Sequence, residues 1–282
     1  MTVKIVTDST SDIPKQLAQE LGITVVPIYV MFGHKAYRDR VDIGEDEFYD
    51  RLVRDSVSPT TSVPSPNDFA EVYNKLAEKT DEIISIHLTS KESGTYDSAL
   101  LAKELVTRQC RIEVIDSLSV SMSCGLLVMA AAQEARNEAS LEQVAGLVRR
   151  TIPRMHILIM LDTLKYVVRG GRLSKPHALL GTVLKVRPLL AIKDGNLMLA
   201  NVARTKARAL ERLYSLAAGF PKVKEAAVVY TTARDEADTL ADRIRAAFPE
   251  ATVYVTRAGP SLGTHAGPGA IGVAVRESGN DM

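Results

Sequence analysis

The stretch "EIISIHLTSKESGTYDSALLAKEL", residues 82–105, carries three signals in turn. Ile83, Ile84 and Ile86 form an apolar, β-branched run that reads as a strand, and Leu100 to Leu105 reads as part of a helix. Between them lie Thr89, Ser90, Ser93, Thr95, Tyr96 and Ser98, with Gly94 in their midst. A strand that turns through a polar loop into a helix is the building unit of an open parallel sheet, where ligands sit at the carboxyl ends of the strands. Hydroxyl donors and free N–H groups at a helix start attract an anion, and a glycine lets the backbone come close to it. From these residues three readings stay open: a helix cap by Ser93 or Thr95, a serine nucleophile, or a binding site for an anionic group.

The same alternation runs outward in both directions. "VKIVTD" reads as a first strand and "DIPKQLAQEL" as a helix with Pro14 in its first turn. "ITVVPIYVMF" reads as a second strand with Pro27 marking an edge or a bulge, followed by a Gly33-His34 turn. "GEDEFYDRLV" is helical, with acids at its N-terminal end. Residues 54–66, rich in proline and hydroxyls, read as loop, and Pro66 or Asn67 opens the next helix. "RIEVID" is a further strand, and apolar helices are expected over 122–135 and 140–152. Pro153 marks an expected boundary between domains 1–152 and 153–282. Beyond it come the strand "MHILIML", a short helix, "RGGR", and two strands around Asp194-Gly195, a strong hairpin signal. Helices over 204–218 and 235–247 alternate with strands "AAVVYT" and "ATVYVT". The expected fold is two α/β domains, the first with a largely parallel sheet and the second with a mixed one.

Composition narrows the function classes. A hydrophobic share of 46% and a charged share of 24% are those of an ordinary globular protein. A net charge of +1 gives no global attraction to nucleic acid or to an anionic membrane. Cys110 and Cys124 make neither a CxxC pair nor a disulfide framework, which fits a cytoplasmic setting. No signal peptide is visible, and the apolar stretches near "LLVMAAA" are too short to span a bilayer. Neither nucleic-acid binding nor stable membrane insertion is expected.

The chemical motifs are individually weak. "KESGT" lacks the first glycine of a nucleophile elbow, so a triad of Ser93, His265 and Asp116 would depend on folding alone. "THAGPGAIG" (264–272) holds a formal G-x-G-x-x-G but leaves no room for a dinucleotide fold after it. It reads better as a glycine-rich turn into a last strand, with His265 in an exposed loop as donor or proton carrier. "TDST" (7–10) and "IDSL" (115–118) each place Asp-Ser after a strand, as helix caps do. His34, His87, His156 and His177 have no metal-ligand spacing, and no metal is expected. Between Thr163 and Lys193 stand seven basic residues and no acid: Lys165, Arg169, Arg172, Lys175, Lys185, Arg187 and Lys193. With Tyr166 alone as an interleaved aromatic, that patch suits an acidic partner or a phosphate better than nucleic acid.

Taken together, the segments resemble the DegV family of bacterial lipid-binding proteins, which includes the fatty-acid-binding subunits of fatty acid kinase. The matching segments are "VTDSTSDIP" (6–14), "TSVPSP" (61–66), "SGTYDSA" (93–99), "VIDS" (114–117), "RGGRLSK" (169–175), "LKVRPLL" (184–190) and "THAGPGAIGV" (264–273), in family order along nearly the whole chain. The resemblance implies a long-chain fatty acid held between the two domains, with no other cofactor and no turnover by the chain itself. It implies that the carboxylate meets Thr61 with Ser62 beside it, Ser93 with the Gly94 backbone, and His265. It also implies a fatty acid kinase as partner, docked through Lys165, Arg169 and Arg172, which would convert the carboxylate to an acyl phosphate. Two departures stand out: Glu92, a carboxylate beside an expected anion site, and His87, where a small residue is commoner. The rival reading is a stand-alone serine hydrolase using Ser93 and His265.

Overall fold

A computed structural model describes residues 2–173 and 186–279. The expected contributions of Lys175, His177 and Lys185 lie outside the described residues. Strand β1 (Lys4–Asp8) leads through a short 3-10 turn to α1 (Lys15–Leu21), which Gly22 ends at φ 69°, and then to β2 (Ile23–Val26). Pro27 does more than mark a bulge: it has no N–H to give the sheet, and the chain leaves for a different one. There β3 (Tyr29–Phe32) and β4 (Lys35–Arg38) form the expected hairpin around Gly33. Helix α2 (Glu45–Arg54) follows, and then residues expected as pure loop supply a three-residue strand, β5 (Thr60–Ser62), paired with β3. Helix α3 (Pro66–Leu76) starts on a Ser65–Asp68 capping box with Pro66 in its first turn.

The opening stretch folds as its pattern implies. Strand β6 (Glu82–His87) passes through residues 88–94 into α4 (Thr95–Ala102). After β7 (Arg111–Asp116) come α5 (Ser121–Arg136) and α6 (Leu141–Thr151). Strands β2, β1, β6 and β7 lie in that order in one parallel sheet, and β4, β3 and β5 form a small antiparallel one. The later strands make a third, mixed sheet from β8 (Met155–Met160), β9 (Arg187–Lys193), β10 (Asn196–Ala203), β11 (Val223–Tyr230), β12 (Thr252–Arg257) and β13 (Ile271–Glu277). Its order is β10-β9-β8-β13-β11-β12, with β11 and β12 the parallel pair. Helices α7 (Lys165–Arg169), α8 (Lys206–Ala218), α9 (Arg234–Ala247) and α10 (Pro260–Ala266) are the later helices among the described residues. The protein is thus two α/β domains, one built on a parallel sheet and one on a mixed sheet.

Helix α5 joins them. Apart from its last turn, its sequence is apolar or small all round, and such a helix needs cover on every side. It packs in one cluster with Ile5, Ile84 and Ile115 of the parallel sheet and with Ile157, Val229 and Ala274 of the mixed sheet. Gly125 permits the close approach: a Cβ there would come within 2.4 Å of the Ser11 carbonyl oxygen. The N-terminal end of α5 therefore opens where the two sheets meet.

Candidate functional site

A cleft lies along that meeting line, enclosing about 1080 Å³ of empty space counted to its open mouth. Its walls are largely aliphatic, with Ile157, Ile159, Leu190, Ile192 and Val229 from the second domain and Leu88 from the first. At one place the lining turns polar, where Thr61, Ser62, Glu92, Ser93, Arg172 and His265 face it.

Thr61 and His265 are 204 positions apart in the chain, yet Thr61 Oγ1 is 3.0 Å from His265 Nε2. Thr61 is brought there by β5, the short strand held by β3. His265 does not sit in an exposed loop as expected; it lies in the last turn of α10. Gly170, the first glycine of "RGGR", lies against the imidazole, and a Cβ there would approach Nδ1 to 2.2 Å. That segment was expected as an exposed turn; Gly171 does turn, at φ 71°, but Gly170 is part of the histidine's seat. Burial, and then the positive charges of Arg172 and Arg169, bring the His265 pKa down to about 4. At neutral pH the ring is uncharged and carries one N–H. With the proton on Nε2, it donates to Thr61, whose own O–H is then free for a ligand. With the proton on Nδ1, Thr61 donates to Nε2, and Nδ1, buried and without a partner among the described residues, is the spare donor.

Ser93 lines the cleft half-buried; its Oγ is 2.9 Å from Thr95 Oγ1 and accepts from Thr95 N at 3.3 Å. The expected cap is not formed at the usual position: α4 starts on Gly94 without a side-chain cap, and the Ser93–Thr95 pair lies beside that start. Gly94 is not brought to the lining: it is exposed, with open space where a Cβ would sit. Helix α4 is fastened to the other hydroxyl segment by Ser98 Oγ, which donates to the Pro64 carbonyl at 2.5 Å. Glu92 also faces the cleft. Its Oε1 accepts from Leu197 N of β10 at 2.8 Å, and burial raises its pKa. Arg172, expected on an outward docking face, instead lines the cleft. Its Nη1 donates to Gly170 O at 2.6 Å, which turns the guanidinium back toward the site. Lys165 and Arg169 are exposed as expected, and Arg169 also donates to Ser58 Oγ.

The hydrolase arrangement does not assemble. Ser93 pairs with Thr95 and His265 with Thr61, while Asp116 accepts from Ser90 N and Leu118 N in a turn before α5. The capping reading thus fails for Asp116 but holds for Asp8, which accepts from Thr10 N at 3.0 Å in the 3-10 turn. Asp8 also takes 2.9 Å from His87 Nδ1, and His87 Nε2 is 2.7 Å from Ser85 Oγ, all of it buried. His87 is a structural residue: the central strands β1 and β6 are tied together through it. Among the lining hydroxyls that escaped notice in the sequence are Thr10, Ser121 and Ser261, which donate to the buried carboxylates Asp8, Asp12 and Asp39. Among the described residues no trio of His, Cys, Asp and Glu is placed to hold a metal ion, and no helix is long and apolar enough to cross a membrane.

Comparison with known proteins gives one consistent result. The family model described as "Uncharacterised protein, DegV family" matches residues 2–278. A DegV domain-containing protein of Caldanaerobacter subterraneus is 38% identical over 278 residues, 98% of this chain and 99% of that one. A solved DegV family protein of Thermus thermophilus, described for its fatty acid binding, superposes with a TM-score of 0.88 at 33% identity, covering 99% of this chain and 100% of the other. DegV of Bacillus subtilis, described as a fatty acid binding protein, does so with a TM-score of 0.90 at 30% identity and the same coverage. The matched length and the two-domain fold agree, and this chain belongs to the DegV family.

Proposed function

We propose that the protein binds a long-chain fatty acid in the cleft, with its carboxylate at the Thr61–His265 pair. The observation that carries this is the form of the cleft: aliphatic walls with neutral donors and one arginine gathered at a single place. The fatty acid binding described for the Thermus and Bacillus relatives supports it. An acyl chain of about sixteen carbons would bury about fourteen methylenes, roughly 11 kcal/mol gross at about 0.8 each. Ordering and association costs consume much of that gain. Charge-assisted hydrogen bonds from Ser93 and from the one spare donor of the Thr61–His265 pair would add about 1.5–3 kcal/mol each and set which end faces the polar side.

Thr61→Val and His265→Ala are therefore expected each to weaken palmitate binding by about 10- to 100-fold with little loss of fold stability. Calorimetric titration measures this directly, and wild-type affinity in both variants would remove the pair from the site.

We read the protein further as a carrier with no turnover of its own, which presents the carboxylate to a separate kinase for conversion to an acyl phosphate. The exposed Lys165 and Arg169 beside the polar end suit an acidic docking face, whereas Arg172 belongs with the ligand. Lys165→Glu should leave lipid content unchanged but slow kinase-dependent phosphorylation, more so at low ionic strength where surface charges act furthest. A wild-type rate at every salt concentration would count against this docking surface.

A further inference from the structure

Helix α10, which carries His265, is only seven residues long and belongs to the second domain. So short a helix does not hold its own geometry. The residue before it, Gly259, has no side chain to cap it, and the acceptors for its first N–H groups come from the first domain. Asp39, just after β4 and 1% exposed, accepts from Ser261 N at 3.3 Å and from Ser261 Oγ at 2.5 Å. The same Oδ2 accepts from Ser9 Oγ at 2.8 Å, and Ser9 Oγ accepts from Ile28 N at 3.0 Å. Asp12 accepts from Gly259 N at 2.8 Å and from Arg40 Nη2 at 3.1 Å, and Arg40 donates on to the Arg257 carbonyl at 2.7 Å. The fit leaves no slack: a Cβ on Gly259 would lie 3.0 Å from Asp39 Oδ1, and one on Gly263 would lie 2.7 Å from both Phe48 and Tyr49. Ser261 and His265 are four residues apart, one turn along the same helix face.

We propose that Asp39 is a positioning residue for the head-group site, capping α10 from the other domain and setting the rotation that turns His265 toward Thr61. This rests on His265 serving the head group, as proposed above. Asp39 touches no ligand; it acts through Ser261. The carboxylate is also suited to the task electrically, since it meets the free N–H groups at the helix start. The arrangement couples the two domains at the point where the ligand must be gripped, because the histidine faces Thr61 only while α10 is held by the first domain.

The test follows the His265 ring by NMR titration of the lipid-free protein and measures palmitate affinity separately. Asp39→Ala should raise the His265 midpoint by about one unit or more toward its ordinary value as the ring loses its burial, and weaken palmitate binding about tenfold. Asp39→Asn keeps the acceptor without the charge and should restore both. Equal upward shifts in the Ala and Asn variants would mean that the acceptor oxygen of residue 39 does not hold the helix, since loss of the negative charge by itself lowers a histidine midpoint, and would overturn the proposal. Should Asp39→Ala fail to fold, Ser261→Ala removes the side-chain half of the cap and should move the midpoint in the same direction by less. An unchanged midpoint in Ser261→Ala, or in a folded Asp39→Ala, overturns it. A shifted midpoint with palmitate binding unchanged supports the positioning role and counts instead against the head-group reading of His265.

Discussion

Gly170→Ala is expected to cost as much ligand affinity as removing His265 itself. The added methyl would lie 2.2 Å from Nδ1 and 2.8 Å from Cε1 of the imidazole, closer than any real carbon contact. The backbone there has φ −72° and ψ −7°, which alanine adopts freely, so no backbone strain confuses the result. What must give is the ring, and with it the 3.0 Å contact to Thr61. A loss of about 10- to 100-fold in palmitate affinity is expected, with a near-wild-type melting temperature. The double variant Gly170→Ala/His265→Ala should be no worse than either alone, because both remove one interaction. Full additivity, or wild-type affinity in Gly170→Ala, would show that the glycine does not seat the histidine.

His87→Ala should have the largest effect on stability. His87, fully buried, sits between Asp8 and Ser85, with Phe69 edge-on at 5.0 Å between ring centroids. Its removal leaves Asp8 short of a donor in a site with no water access and opens a cavity the size of an imidazole. Breaking a buried polar pair from one side costs about 3–5 kcal/mol. Urea denaturation should therefore show a much lower midpoint with an unchanged slope. A loss below about 1 kcal/mol would mean that Thr10 N and Leu88 N, which also donate to Asp8, satisfy it alone.

The elements that were legible in the sequence are those whose signals are local. The Asp194-Gly195 hairpin forms as its turn chemistry requires, with Asp194 at φ 51° and Gly195 at φ 81°. The capping box of Ser140 and Gln143 starts α6 where the pattern places a helix. The elements that were not legible are short and are held by distant partners. β5 has three residues and exists because β3 lies beside it. α10 exists because Asp12, Asp39, Phe48 and Tyr49 form its socket, and nothing near "GPSLGTHAGPG" announces them. The site divides the same way. Thr61, Ser62, Ser93 and His265 do face one cleft, while Gly94 stands away from it. Arg172 was misplaced because its two neighbouring glycines suggest a surface turn, when one of them seats a side chain 95 positions away. Asp39 and Arg40 carry no motif at all; the partners that tie them to the second domain stand more than 200 positions away.

The most direct test of the account is to denature freshly purified protein, extract it with organic solvent, and identify and count the lipid by mass spectrometry. About one long-chain fatty acid per chain is expected from wild-type protein, and markedly less from Thr61→Val and Gly170→Ala prepared in parallel. Wild-type protein that yields no stoichiometric fatty acid, and takes up none when incubated with palmitate, would contradict it.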